Sequence, residues 1–248
     1  MKFLVIGETC KDKFCYGGSD RLCSEAPIPI FVPEGSVREN LGMAANVYRN
    51  IAAIDEKTNK HLPSRHEIKL FSNKVAGEKT RFMDSVSNQM FLRIDTDSYS
   101  PCGQLPKLEE YDAVVVSDYD KGFLSNKNLI KIAERAKMSF LDTKKRYHSS
   151  WAHLFTFIKI NEKESRENGW DRNLPNLIVT KGGKGCSFGG VDFSITKPSE
   201  VRDVAGAGDT FLAAFSYTYM LTKNIDASIL FAQDCCQQVV SKKGVVTI

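Results

Sequence analysis

Nowhere in the 248 residues do eighteen apolar side chains run together, so the sequence offers no membrane span. The N-terminal apolar run, Phe3 to Ile6, is too brief for the core of a secretory signal. Seven cysteines, an odd number, include no CxxC pair, and Cys235 and Cys236 are adjacent, which excludes a disulfide framework and a cysteine zinc site. The four histidines form no HExxH or Cys/His ladder. Basic residues are scattered, Lys144-Lys145-Arg146 being the longest run, so a net charge of +4 does not describe a nucleic-acid patch. Internal repeats and low-complexity segments are missing too. What is left is a globular, single-core chain expected in the cytoplasm, with neither nucleic acid nor membrane as a partner.

From Tyr111 onward, apolar runs alternate with amphipathic segments. The expected order is strand Ala113 to Val116, helix Asn126 to Lys137, strand Ser139 to Leu141, strand Phe155 to Ile160, helix Glu162 to Asn168 and strand Leu177 to Thr180. Such an order builds right-handed βαβ units and a mostly parallel sheet, with ligands at the carboxyl ends of its strands. A hairpin over Cys186 to Ile195 and helices over Ala207 to Leu221 and Asp226 to Val240 complete this part. Phe3 to Gly7 reads as another buried strand, and Ile68 to Phe71 as one more. Gly42 to Ile54 reads as a helix with Asn40 as its cap, followed by a polar loop, Asp55 to Glu67, that contains Pro63. Glycine, proline and alternating apolar residues between Asp12 and Val37, with strand patterns near Arg81 to Val86 and Gln89 to Ile94, predict a small β appendage.

Three segments carry chemistry. In Asp203-Val204-Ala205-Gly206-Ala207-Gly208-Asp209-Thr210, small residues run straight into an apolar helix. Backbone N–H groups of such a turn converge on one point, where the helix dipole favours an anion. Asp209 in the same turn either complements the dipole or serves as a base toward a hydroxyl. Thr180-Lys181-Gly182-Gly183-Lys184-Gly185 follows a strand and is a glycine turn, not a Walker loop, because Gly185 stands where Ser or Thr would be required. Asn161-Glu162-Lys163-Glu164 is a helix cap by composition, yet its place at a strand end lets Asn161 and Glu164 reach a hydrated magnesium ion.

In this order the three segments resemble the ribokinase-like (PfkB) carbohydrate kinase family over nearly the whole chain, Gly206-Ala207-Gly208-Asp209 being the most specific mark. The resemblance implies one domain, 1–248, with an α/β fold: a three-layer α/β/α sandwich with a mostly parallel central sheet and a small β lid from about 12–38 and 79–98. It implies ATP-dependent phosphoryl transfer with Asp209 as base and the amides of Ala207, Gly208 and Asp209, with Gly206, as an anion hole. Asn161 and Glu164 would organise Mg²⁺ through water, and Thr180, Gly182, Gly185 and Asp203 would belong to the cofactor site. A monovalent cation beside ATP and a homodimer through the lid are compatible with the family.

Within it, the N-terminal half is most similar to kinases that phosphorylate D-glycero-D-manno-heptose 7-phosphate at the anomeric hydroxyl. Asp12, Ser24-Glu25-Ala26-Pro27, Gly42-Met43-Ala44-Ala45-Asn46, Lys79-Thr80-Arg81, Leu92-Arg93-Ile94-Asp95, and Ser117-Asp118-Tyr119 with Lys121-Gly122 carry this likeness. Asp142 and Lys144 resemble the family's Asp-Pro-Lys element. The implied acceptor site comprises Asp12, Gly42, Asn46, Lys79, Arg81, Arg93, Asp118 and Lys121. Carboxylate and amide groups suit hydroxyls, and cations suit a phosphate, although Arg93 has Asp95 as an alternative partner.

Several positions depart from the family. Met43 replaces a glycine, Glu8 an aspartate and Ala205 a threonine, and the stretch between Ile54 and Ile68 is shorter by a strand and a helix. A second, nucleotidyl-transferring domain is not expected within the chain. These departures leave open a kinase for another sugar or a nucleoside, or a non-catalytic sugar- or nucleotide-binding protein.

Overall fold

Strands buried on both faces need apolar side chains, and Phe3 to Ile6 of β1 (Lys2–Gly7) and Ala113 to Val116 of β8 (Ala113–Asp118) meet that demand. In the computed structural model, which describes residues 1–60, 66–74, 77–196, 199–242, 244 and 246–248, these strands lie side by side in the main sheet. The first half of the chain continues with β2 (Thr9–Gly18), β3 (Val32–Pro33), β4 (Arg38–Met43), α1 (Ala44–Thr58), β5 (Glu67–Ser72), β6 (Gly77–Asp84) and β7 (Met90–Thr96). After β8 come α2 (Asn126–Arg135), β9 (Ser139–Thr143), α3 (Ser149–Ala152), β10 (Phe157–Asn161), α4 (Glu162–Glu167) and β11 (Leu177–Thr180). The chain then forms β12 (Cys186–Phe188), β13 (Val191–Phe193), α5 (Ala207–Thr222) and α6 (Ile225–Val240).

The eight-stranded sheet has the order β13-β12-β11-β10-β9-β8-β1-β5. It is parallel from β5 to β11 and closes with an antiparallel hairpin. Successive residues point to opposite faces, so Phe3 and Val5 join α1, α5 and α6 in one core. Leu4 and Ile6 join Leu129, Ile132 and Trp151 in the other. Each such side chain contributes about 1.5–3 kcal/mol on burial. The result is the α/β sandwich expected from the alternation.

The second sheet, ordered β3-β2-β6-β7 with β4 also on β2, is built from the segments read as an appendage. Two expectations fail at its edge. Asn40 is a strand residue rather than a helix cap, and Gly42 and Met43 end β4. The helix starts at Ala44 because the main chain turns at Met43, with φ 59°, and the Ala44 N–H donates to the Glu8 carbonyl at 2.9 Å. Strand Arg38–Met43 and the short α3 have no counterpart in the sequence reading. The helix also runs on to Thr58, into the stretch from Asp55 expected as a polar loop, and part of the remainder, with His61 and Pro63, lies outside the described residues.

Where that loop leaves α1, a buried polar knot ties the helix to α5. Tyr217 Oη donates to Asp55 Oδ1 at 2.9 Å, Asn59 Nδ2 donates to the same oxygen at 2.6 Å, and His66 Nδ1 lies 2.7 Å from it. Asn59 also donates to Tyr217 Oη at 3.1 Å. A satisfied buried hydrogen bond is worth about 1 kcal/mol, whereas an orphaned partner costs about 1–3 kcal/mol. Tyr217→Phe removes the hydroxyl and leaves the ring packed, so it should lower unfolding free energy by about 1–3 kcal/mol in urea denaturation; an unchanged midpoint would show that the knot adds nothing to stability.

Candidate active site

The strand ends of the main sheet and the first turn of α5 converge on Asp209. Gly206 caps α5 in the left-handed conformation, φ 82°, which admits glycine without strain. The turn delivers Asp209 into a pocket where it is only 3% exposed. Asn46, at the start of α1, donates from Nδ2 to Asp209 Oδ2 at 3.2 Å, and Tyr119, after β8, donates from Oη to Oδ1 at 2.9 Å. Burial pushes the Asp209 carboxyl up to about 6, and the Asp142 charge adds to this. The bonds from Asn46 and Tyr119 and the Lys159 charge act in the opposite direction. Asp209 therefore sits near the value suited to taking a proton at neutral pH.

Each of these partners is itself held. Asn50 Nδ2 donates to the Asn46 side-chain oxygen at 3.1 Å, which turns the Asn46 NH₂ toward Asp209. Buried Glu8 accepts backbone N–H bonds from Tyr119 at 2.9 Å, Lys121 at 3.1 Å and Phe123 at 3.3 Å, thereby fixing the loop that carries Tyr119. The phenol is pushed well above its ordinary value by burial and by the charges of Asp209 and Asp142, so it stays a donor. Sequence reasoning missed Tyr119 as a site residue because no spacing rule brings it 90 residues along the chain to Asp209.

Beneath Gly208 lies a buried ion pair, Lys159 Nζ to Asp142 Oδ2 at 2.7 Å. A Cβ on residue 208 would stand 2.8 Å from that ammonium, so with glycine the turn packs closely on the pair and a larger residue would displace the lysine tip. Asp142 Oδ1 is buried without a hydrogen-bond partner among the described residues. Lys144, over the Tyr119 ring at 5.4 Å, pairs with Glu164 Oε1. Burial would lower the Lys144 ammonium, but Asp142, Glu164 and Asp209 together raise it above its ordinary value.

Asn161 and Glu164 form a reciprocal capping box at α4: Asn161 Oδ1 accepts from the Glu164 N–H, and Glu164 Oε2 from the Asn161 N–H, both at 2.8 Å. The free end of Asn161 is thus an NH₂ donor, which suits a phosphate oxygen better than a cation. No cluster of three or more His, Cys, Asp or Glu able to cage a metal occurs among the described residues. The orphaned Asp142 oxygen and the adjacent Glu164 fit a hydrated divalent ion carried on phosphates, since Mg²⁺ keeps several waters and needs few protein ligands.

Thr180, Gly182 and Gly185 line a cavity of about 770 Å³, counted to its mouth, together with Ala207 and Gly208. Its other walls, Val201, Val204, Phe211, Gln233, Cys236 and Val240, make a mostly apolar slot beside α6 that sequence reasoning did not assign. The apolar periodicity of 226–240 was the available signal, and core packing accounts for it equally well. Asp203 stands back from this space: its oxygens accept the Ala205 N–H at 2.9 Å and the Gly244 N–H at 3.0 Å, which secures the loop leading into α5.

The expected acceptor residues divide. Asp12 is buried with its carboxylate against Gly42, where a Cβ would come within 2.0 Å of Asp12 Oδ2, and Asn46 adjoins Asp209. Lys79 lies over the Tyr119 ring at 5.1 Å. The others have partners of their own. Arg81 donates to Asp12 at 2.5 Å, Arg93 pairs with Asp95 at 2.8 Å on an exposed strand, and Lys121 pairs with Asp97 at 2.6 Å. Asp118 faces inward, accepting from Thr143 Oγ1 at 2.6 Å with Lys145 at 3.4 Å.

Solved structures place this architecture. The fold matches the nucleoside kinase of Methanocaldococcus jannaschii with a TM-score of 0.69 at 19% identity, covering 98% of this chain and 93% of that one. It matches Arabidopsis thaliana ribokinase, solved with ribose and ATP, with a TM-score of 0.67 at 17% identity, covering 98% and 93%. The fold is therefore ribokinase-like. The family model for pfkB family carbohydrate kinases matches residues 112–248, and the chain belongs to that family of ATP-dependent carbohydrate kinases. It is also 28% identical to the bifunctional protein HldE of a Nitratiruptor species over 292 aligned positions, covering 99% of this chain and 63% of that protein. The chain thus spans less than two thirds of the length of that relative.

Proton uptake by Asp209 should make turnover fall below a pH of about 6. Because the Tyr119 hydrogen bond favours the ionised carboxylate, Tyr119→Phe should move that acid limb to higher pH. The pH profile of kcat/KM in parent and variant checks this, the acceptor's own titration being common to both; coincident limbs would remove Tyr119 from the control of Asp209.

Proposed function

We propose that this protein transfers the terminal phosphoryl group of ATP to a sugar phosphate, with D-glycero-D-manno-heptose 7-phosphate, at its anomeric hydroxyl, as the favoured acceptor. The observation that carries the reading is the first turn of α5, which presents buried Asp209 on one side and lines the nucleotide cavity with Ala207 and Gly208 on the other. The heptose assignment draws support from the N-terminal motifs and from the likeness to HldE along the whole chain.

In this reading adenine and ribose occupy the slot between the 180–185 turn and α6, with the phosphates pointing to the α5 amides. Asp12 and Asn46 hold acceptor hydroxyls. Asp209 takes the proton of the attacking hydroxyl as its oxygen bonds to the γ-phosphorus, the β–γ bridging bond breaks, and ADP leaves with that electron pair. The amides of Ala207, Gly208 and Asp209 and the Lys144 ammonium stabilise charge on the transferring group. Asp142 and Glu164 would hold the waters of a Mg²⁺ ion, whose charge would neutralise the donor phosphates, and Asn161 would donate to a phosphate oxygen. The small sheet, about 12–38 and 79–98, acts as a lid over the acceptor. Its outer face exposes Leu41, Leu92 and Ile94 and is the surface on which a second copy would dock.

Met43 favours a second reading, a kinase for a different sugar or a nucleoside. It is buried next to Gly42 in a backbone conformation suited to glycine, with Tyr99 Oη 3.7 Å from its sulfur, and adds bulk where the family pattern has glycine. A non-catalytic binding protein of this fold would have no need for a base held at Asp209.

The test is ADP release with Mg²⁺, with and without a monovalent cation, over a panel of sugars, sugar phosphates and nucleosides. Heptose 7-phosphate should give the highest kcat/KM, and Asp209→Asn should reduce turnover by about 10²–10⁴-fold while ATP binding persists. Preference for a neutral sugar or nucleoside would replace the acceptor, and equal rates in Asp209→Asn and parent would defeat the mechanism.

A further inference from the structure

Four cations were expected to serve the acceptor's phosphate, and three of them, Arg81, Arg93 and Lys121, are neutralised by Asp12, Asp95 and Asp97. A different set lines a second cavity of about 830 Å³, counted to its mouth, between the small sheet, α1 and the segment after α6. Its walls include Phe14, Tyr16, Arg38, Asn40, Arg49 and Lys242. None of the three cation side chains donates a hydrogen bond or forms an ion pair among the described residues. Arg38 is stacked over the Tyr16 ring at 5.4 Å, which holds its guanidinium at the cavity. Arg49 is half-buried and pairs with no carboxylate among the described residues, Asp55 and Glu56 lining a separate cavity on its other side. Asp203, whose charge reaches Tyr16 on this side, is engaged by the Ala205 and Gly244 N–H groups.

The position relative to Asp209 is as informative as the charge. Asp12 pairs in register with Asn40, and Phe14 with Arg38, so all four share the sheet face that carries the acceptor carboxylate. Arg38 is therefore one strand repeat, about 7 Å, from Asp12. On α1, Arg49 follows Asn46 by three residues, so the two lie on adjoining positions of one helix face about 5 Å apart. Both elements step from a group at the reaction centre to a cation by the same short distance. A ligand whose hydroxyl reaches Asp209 would thus carry an anion several bonds away into this cavity.

We propose that the cavity lined by Arg38, Arg49 and Lys242 is a phosphomonoester-binding site. This deepens the sugar-phosphate reading above and rests on it for the acceptor's identity. A dianionic phosphate matches the guanidinium forks of two arginines and the point charge of a lysine, and Asn40 adds a neutral donor. The same chemistry is offered by the acceptor's own distal phosphate and by a separate phosphorylated metabolite.

Isothermal titration of the protein without ATP, using inorganic phosphate and heptose 7-phosphate as probes, tests the site without requiring turnover. Both probes should bind the parent. Arg49→Gln and the Arg38→Gln/Arg49→Gln pair should weaken binding by about tenfold or more, and Arg49→Lys should recover part of it. Lys131→Gln, a remote exposed cation on α2, serves as the charge control. Phosphate binding that is absent from the parent, indifferent to both arginines, or equally weakened by Lys131→Gln overturns the proposal. Thermal melts matching the parent keep loss of folding apart from loss of the site.

Steady-state assays separate the sources. If the acceptor's phosphate is the ligand, inorganic phosphate competes with heptose 7-phosphate and Arg49→Gln raises its KM far more than that of a neutral sugar. If a separate metabolite is the ligand, inorganic phosphate changes kcat without competing, and Arg49→Gln abolishes that response. Either result supports the site. Arginine-dependent phosphate binding with no heptose turnover would end the acceptor assignment and leave this inference standing; turnover on heptose 7-phosphate with binding indifferent to Arg38 and Arg49 would do the reverse.

Discussion

A carboxylate buried at the head of a helix is the constraint from which the rest of this structure follows. Asp209 can hold its place only because Asn46 and Tyr119 donate to its two oxygens, and those donors come from α1 and from the loop after β8. Three segments far apart in sequence must therefore arrive at one point. Glu8 makes the loop arrive by accepting three of its backbone N–H groups, and the main chain of the same residue starts α1 by accepting from Ala44. Leaving any of these groups unpaired in a dry site would cost about 1–3 kcal/mol, so the geometry of the carboxylate is bound up with the join between the two sheets.

Charge beneath the turn imposes the next condition. Lys159 and Asp142 are both nearly inaccessible, and a buried ion pair repays its desolvation only when its geometry is good. Placing Gly208 directly against the ammonium brings the helix amides, a cation and the Asp209 carboxylate into one small volume. Lys144 extends this volume toward Glu164 and α4. An arrangement of this kind suits a transferring phosphoryl group better than a neutral ligand, because several positive dipoles and charges are already in place before any anion enters.

The parallel half of the fold was legible from the sequence because strands buried on both faces must be apolar throughout, as in Ala113 to Val116 and Leu177 to Thr180. The glycine turn before α5 was legible for the same kind of reason, since only small residues admit converging amides. Strand Arg38–Met43 was not, because its residues are half exposed and neither alternate nor run apolar; pairing with β2 creates the strand. The start of α1 was misread because its first N–H is satisfied by the Glu8 main chain instead of a side-chain cap. Among the cations, Lys79, Arg81, Arg93 and Lys121 had the right charge, but charge in a sequence does not reveal which carboxylate stands opposite. The pairing of Arg81 with Asp12 and of Lys121 with Asp97 depends on register and loop placement.

Met43 shows how the departures from the family pattern bear on acceptor choice. A side chain at φ 59° and ψ −133° costs about 1–3 kcal/mol relative to glycine, so the fold must hold it there. It does so by fixing both neighbours, with Gly42 closed against Asp12 and the Ala44 N–H bound to Glu8, while the Tyr99 hydroxyl meets the Met43 sulfur. In the proposed reading the same thioether adds bulk beside the acceptor. Shape at Met43 and charge at the Arg38, Arg49 and Lys242 cavity act, in that reading, as separate filters on one ligand. The first limits bulk beside the reacting hydroxyl, and the second rewards an anion at the far end, so an extended phosphorylated sugar satisfies both where a compact neutral one satisfies only the first.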